Sequence, residues 1–261
     1  LFQPAEELAQ GAVWMRDAGA VEGLDALFGL HVVPNLPVGT VGIRRGCLTA
    51  AAGELEILVQ GEGGHGARPH QAVDAVWLAA RVITELQQAI ARRLDALQPV
   101  VISFGKVEGG RAFNVIADQV RLLGTVRCLD LQQHALLPAW IEEMVQGICG
   151  SGGGTAVVNY RCIAPPVHND PQLTALLERC AVGCLGRDKV LPVEQPSLGA
   201  EDFAELLRDV PGMMVRLGVA GPEGCAPLHN GAFALEEDAL GVGITVLTAT
   251  LLAWLAENAP A

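Results

Sequence analysis

The sequence predicts an α/β protein in which a compact βαββαβ unit interrupts a second α/β region. Three observations carry that reading. Leu55, Ile57 and Val59 alternate with polar residues, the two-residue period of a half-exposed strand. A helical stretch, two strand-like runs, a second helix and a last strand follow before Pro165-Pro166, which is the split βαβ order. On either side, in 1–50 and 165–261, helical and strand-like segments simply alternate. With 51% hydrophobic and 18% charged residues in 261, the chain can repay its ordering entropy by burial, so disorder is excluded.

Taken in order, Leu1-Phe2-Gln3-Pro4 reads as the end of a strand entering a loop, as if the chain were part of a longer polypeptide. Residues 5–19 place Leu8, Ala12 and Met15 on one face and stop at Gly19, which predicts a helix. The run LFGLHVV ending at Pro34 suits a buried strand. After the strand around Leu55, a Gly-rich turn at 61–66 leads to a helix opened by Pro69 and running to about Leu97, proline being suited to a first turn. Strands are predicted at 100–107 and 119–128, a helix at 131–148 and a strand at 156–162. Beyond the two prolines come helices near 171–185 and 200–207, a strand near 213–217 and a final helix.

A net charge of −12 argues against nucleic acid as a partner, because phosphate backbones need clustered cations. Seven scattered cysteines without a CxxC fit free thiols in a reducing cytoplasm better than a disulfide frame or a structural zinc site. The first residues lack the basic-then-apolar pattern of a signal peptide. The uncharged stretch 239–256 is nearly long enough to span a bilayer. However, it follows Glu236, Glu237 and Asp238 and has no flanking Lys or Arg, so a buried helix with acids at its first turn is expected, and no membrane.

Few residues suggest chemistry. Glu6 and Glu7 are either a solvated helix start or a general base beside a metal ligand. His31 in an apolar run is either a hydrogen-bonded core residue or a ligand near a strand's C-terminal end, where open α/β sheets hold ligands. His229 lies in a loop before the acidic helix start. Imidazoles and carboxylates on three such loops would make an oxygen/nitrogen site for Zn or Mn. The stretch Gly61 to Gly66 matches GxGxxG literally, but Glu62 would face a pyrophosphate and no helix starts at the second glycine, so the dinucleotide reading fails.

The segments LFQPAEE (1–7), GLHVVPNLPVG (29–39), GGHGARPH (63–70), AFNVIADQVRLLGTVR (112–127), APPVHND (164–170), GAEDFA (199–204) and LHNGAF (228–233) occur in this order. Together they resemble the metal-dependent amidohydrolases of the peptidase M20 group, in the aminoacylase, hippurate and indoleacetyl-amino-acid hydrolase branch. The resemblance implies a partial metallopeptidase-like catalytic α/β domain at 1–51 and 164–261. It also implies an inserted ferredoxin-like lid or dimerisation domain at 52–163. By the same resemblance Glu6 is the general base and Glu7, His31 and His229 are metal ligands. His65 and Asn114 then bind substrate and the developing oxyanion.

The implied activity is hydrolysis of the amide bond of N-acyl amino acids with two divalent ions, Mn or Zn, in a cytoplasmic homodimer paired through the lid. The family's further ligands, a Cys and a His in a CGHD-type motif, come before PAEE, and here nothing precedes Leu1. The alternative is therefore a truncated, inactive relative that serves as an association module. Two prolines of the family pattern are also replaced, by Ala117 and Gly231.

Overall fold

A computed structural model describes residues 1–259. Residues 1–5 are in neither helix nor strand, so the strand end expected there is absent. The stretch read as one helix is a 3-10 turn at Glu6–Leu8 followed by helix α1 (Gly11–Asp17). Ala5 and Ala9 both take φ of 50°, and a left-handed residue at each end confines the turn. Strand β1 (Leu27–Pro37) runs past Pro34, because its ladder is interrupted between Val33 and Pro37 and no bond is lost to the missing N–H. The short strands β2 (Val41–Ile43) and β3 (Gly46–Cys47) show no period in sequence.

Next come β4 (Ala51–Gln60) and β5 (Gly64–His65). Pro69 opens only a 3-10 turn to Gln71. Helix α2 (Ala75–Arg93) begins later, because the Asp74 carboxylate accepts from the N–H of Val76 and Trp77 at 2.9 and 3.2 Å and so caps it there. Then follow β6 (Val100–Gly109), β7 (Val115–Ile116), β8 (Gln119–Cys128), α3 (Leu131–Ser151) and β9 (Thr155–Ala164). The chain ends with β10 (His168–Asn169), α4 (Pro171–Leu185), β11 (Val190–Pro192), β12 (Gly212–Ala220) and α5 (Asp238–Glu257). The helix expected near 200–207 is a 3-10 segment, Asp202–Arg208.

These elements form two compact units. One holds Leu1–Thr49, Val167–Ser197 and the chain from Glu201; the other holds Ala50–Pro166 with Leu198–Ala200. In the first, a sheet of order β1-β12-β2-β11 pairs β1 with β12 and β2 with β11 in parallel, and β12 with β2 antiparallel. Alternate residues of β12 serve its two faces. Met213, Val215 and Leu217 pack with Leu177 and Val246 of α4 and α5, whereas Met214 packs with Ala12, Phe203 and Leu206. In the second unit the sheet order is β6-β8-β4-β9, all antiparallel. Leu55, Ile57, Leu78, Leu122 and Ile141 make its core with α2 and α3, giving the βαββαβ arrangement expected.

Helix α5 departs from expectation. It is long and apolar enough to cross a membrane, and only one stripe of it is buried: Ala239, Gly243, Val246 and Thr250. Leu240, Ile244, Leu251, Leu252 and Leu255 are exposed. The helix is apolar all round while the sheet and α4 cover one side, so sequence hydrophobicity overstated its burial.

Candidate active site

Glu6 and Glu7 sit on the 3-10 turn between the two left-handed alanines. His229 is itself left-handed, at φ 62°, in a loop where the Asn230 side chain accepts from the N–H of Ala232. Among the described residues these three are the non-glycine positions with positive φ, and each costs about 1–3 kcal/mol. The strain is concentrated where acids and an imidazole meet, with His229 Nδ1 3.2 Å from Glu7 Oε2.

His31 is on β1. Its Nδ1 lies 2.7 Å from the carbonyl oxygen of Val32. A carbonyl can only accept, so Nδ1 carries a proton, and Nε2 is the nitrogen through which the neutral ring would ligate a metal. That Nε2 is 3.9 Å from Glu201 Oε2. Glu201 is buried, and its other side-chain role is to accept from the N–H of Phe203 at 3.1 Å. Gly29 lets the strand approach this point, since a Cβ there would stand 3.0 Å from the Phe203 ring.

Carboxylate oxygens of Glu6, Glu201 and Asp202 lie within 4.8 Å of one another. Asp202 is already committed. One oxygen accepts from the N–H of Ala12 at 3.0 Å, in the first turn of α1, and the other from the Gln3 side-chain amide. Burial pushes the Glu6 carboxyl above its usual range, and the charges of Glu7 and Asp202 add to this against His31 and His229. Burial raises Glu201 as well, opposed first by its bond from Phe203. Glu6 thus feels both imidazoles and both neighbouring acids. A cavity of about 540 Å³ opens beside them, lined by Glu6, His31 and Glu201 and by apolar Leu27, Phe203 and Met214.

The remaining candidates are in the second unit. His65 pairs with Val115 across β5 and β7, and the Asn114 carbonyl accepts from the N–H of Gly66 at 2.8 Å. A Cβ at Gly66 would be 2.9 Å from that carbonyl oxygen, so glycine is what lets the two segments close. His65 and Asn114 are exposed. His65 Nδ1 accepts from the N–H of Ala67 at 3.1 Å, which puts the ring proton on Nε2.

Sequence reasoning assigned no role to Glu201. GAEDFA was visible as a motif but read as an ordinary helix start.

The chain is 52% identical over 95% of its length to a Synechocystis protein named "Probable hydrolase sll0100", of which it covers 64%. It is 37% identical over 93% of its length to the N-acetylcysteine deacetylase of Bacillus subtilis, covering 62% of it. Among solved structures, a dinuclear metal-binding peptidase of the M20 family from Bacillus subtilis superposes with a TM-score of 0.80 at 32% identity. That match takes in 98% of this chain and 64% of the other. The chain therefore spans less than two thirds of the length of these relatives. Residues 1–253 match the sequence profile of Peptidase family M20/M25/M40, with the mixed α/β fold of its solved members, and the chain belongs to that family.

Proposed function

We propose that the full-length protein hydrolyses the amide bond of N-acyl amino acids with two divalent ions, Mn or Zn, as a cytoplasmic homodimer. One observation carries this reading: Glu6 lies in the field of two imidazole groups, His31 and His229, each beside a carboxylate. The donor set fits divalent ions of this kind, because it offers imidazole nitrogen and carboxylate oxygen. Glu7, His31 and His229 would hold the metals. Bound ions would supply an acidified water and polarise the scissile carbonyl.

The protein's own groups do the rest. Glu6, its affinity for a proton raised by burial, takes a proton from the attacking water and returns it to the leaving amine. The Val32 carbonyl, which accepts from His31 Nδ1–H, holds that imidazole in place, and the carboxylate of Glu7 lies beside His229. His65, with its proton on Nε2, and Asn114 are donors suited to a developing oxyanion. The deacetylase relative supports the substrate class.

In the full-length protein, Glu6→Gln should keep its metal content and lose about 10²–10⁴-fold in kcat. Metal loss in parallel with activity would make Glu6 a ligand instead, and an unmodified protein without turnover would favour the association-module reading. Mixing Glu6→Gln with His65→Ala tests the dimer. Activity regained in mixed dimers means that His65 serves the partner's site.

A further inference from the structure

A second cavity, of about 560 Å³, opens in the first unit and shares no lining residue with the one beside Glu6. It lies at β2 and β11, which run parallel with Ile43 opposite Pro192. Beyond that pair the Val193 N–H donates to the Ile43 carbonyl at 2.9 Å. Arg44 and Arg45 follow β2 directly. Helix α4 brings Glu178, and Gly186, at φ 90°, turns the chain out of that helix. A 3-10 turn, Arg187–Lys189, then returns Arg187 to the Glu178 carboxylate. Arg44, Arg45, Arg187 and Glu178 thus line one cavity, and the rest of its wall is apolar, Ile43 and the stretch 190–193.

Three guanidinium groups meet one carboxylate here, in a chain with 17 basic and 29 acidic residues. The local charge is opposite to that of the whole protein, so an anion is favoured at this point over the surface around it. Arg44 pairs with no acid among the described residues. Its Nε donates to the Cys47 carbonyl at 2.6 Å, and its Nη1 to those of Val193 and Glu194 at 2.9 and 2.7 Å. The group is therefore held in place while its charge is left uncompensated. Glu178 is divided between the other two. Its Oε2 accepts from Arg45 Nη2 at 3.0 Å, and its Oε1 stands 3.6 Å from Arg187 Nη1, too far for a hydrogen bond. A guanidinium carries five N–H donors, so most of those on Arg45 and Arg187 have no protein acceptor among the described residues. Exposed ion pairs of this kind stabilise little, so little is lost when another anion takes the donors over.

We infer that this cavity is a second binding site, which takes the phosphate group of a small organic phosphate monoester. Three cations and one acid leave two charges over, which match a dianion, and guanidinium forks give phosphate oxygens parallel bonds. Arg45 and Arg187 converge on one carboxylate, so they suit one compact anion rather than two carboxylates set apart. The volume is that of a site for a small organic molecule, larger than a bare phosphate fills, and the apolar wall has room for the carbon body. The site stands apart from the hydrolase reading, since none of its residues belongs to the metal or acid–base groups proposed above.

The test titrates full-length protein calorimetrically with phenyl phosphate, inorganic phosphate and succinate at constant ionic strength. Phenyl phosphate should bind tightest and succinate weakest. Arg45→Gln and Arg187→Gln alter exposed side chains that the fold does not need. Each should weaken phenyl phosphate by about 10- to 100-fold, the span of a charged hydrogen bond. Arg179→Gln, which loses an exposed pair with Glu257 instead, should bind as the unaltered protein does. Glu178→Gln should tighten binding by about fivefold, the effect of removing one like charge at about 4 Å in water-like surroundings. Misfolding cannot produce such a gain, which keeps this arm decisive. Affinity unchanged in both arginine variants overturns the inference, because the anion then sits elsewhere, on a metal ion for instance. An equal loss in Arg179→Gln also overturns it, since net charge alone would then be read. Succinate or inorganic phosphate binding as tightly as phenyl phosphate overturns the assignment to a phosphate monoester.

Discussion

In the second unit all the long strands pair antiparallel, two capped helices cover one face, and Gln133 is the buried polar residue among those described. The first unit mixes parallel and antiparallel strands and buries Glu201, Asp202 and Glu205. It also holds Ala5, Ala9 and His229 in left-handed conformations. Regular pairing spends little on exceptions, so its stability comes from apolar layers. The irregular unit accepts strain and buried charge, and the Glu201 carboxylate and the strained His229 backbone put part of that cost at the imidazoles. Even the histidines follow this division. His31 donates a hydrogen bond from Nδ1 to a carbonyl, while His65 accepts at Nδ1 and presents a proton on Nε2.

The sharpest way to break the comparison is in the apolar layers. Leu122 is fully buried on β8, and Leu122→Ala should cost about 2–5 kcal/mol, through lost transfer energy and a residual cavity. Hydrogen exchange should show the loss in α2, α3 and their sheet. Metal affinity of the Glu6 cluster should be unchanged; a matching loss there would mean that the two units do not carry separate tasks.

A smaller effect is expected from the exceptional side. Asp202→Ala removes the acceptor for the Ala12 N–H, at about 1–3 kcal/mol for a buried donor left unpaired. Asp202→Asn should cost less, since its amide oxygen can still accept. Faster exchange confined to α1 in the Ala variant alone is the expected signature. Equal exchange in both variants would show that charge, rather than the hydrogen bond, is what Asp202 supplies.

How much was legible in the sequence follows the same line. The two-residue period at Leu55, Ile57 and Val59, with five further elements in order, was enough for the βαββαβ sheet, because antiparallel strands with one buried face announce themselves. Strands β2 and β11 have three residues each, too few to show a period, yet they complete the other sheet. The helix start at Pro69 was misplaced because proline tolerates a first turn without compelling a second, and the Asp74 cap decided the matter five residues later. Glu6, Glu7, His31 and His229 stood in recognisable segments. Glu201 stood in one as well, GAEDFA, but its burial beside His31 depends on packing that no local pattern encodes.

The smallest expected effect tests whether the regular unit has an exception of its own. Tyr160, the chain's one tyrosine, pairs with Leu55 across the sheet. Its hydroxyl oxygen is buried without a hydrogen-bond partner. Burial pushes its pKa up to about 12, with the neighbouring Cys162 and Cys128 adding to the shift and Arg127 opposing it. Because the folded pKa exceeds the unfolded value of about 10, the native state holds this proton where the unfolded chain has lost it. The stability linked to it is intact below pH 10 and declines as the pH rises towards 12. Tyrosinate absorbance should therefore appear near pH 12 in folded protein and near pH 10 in denaturant. Tyr160→Phe should abolish the signal and remove the alkaline loss of stability at little cost near neutrality, because the hydroxyl has no bond to lose. Titration near pH 10 in the folded protein would instead mean that water reaches this hydroxyl, and that the packing beneath α3 is open at that point.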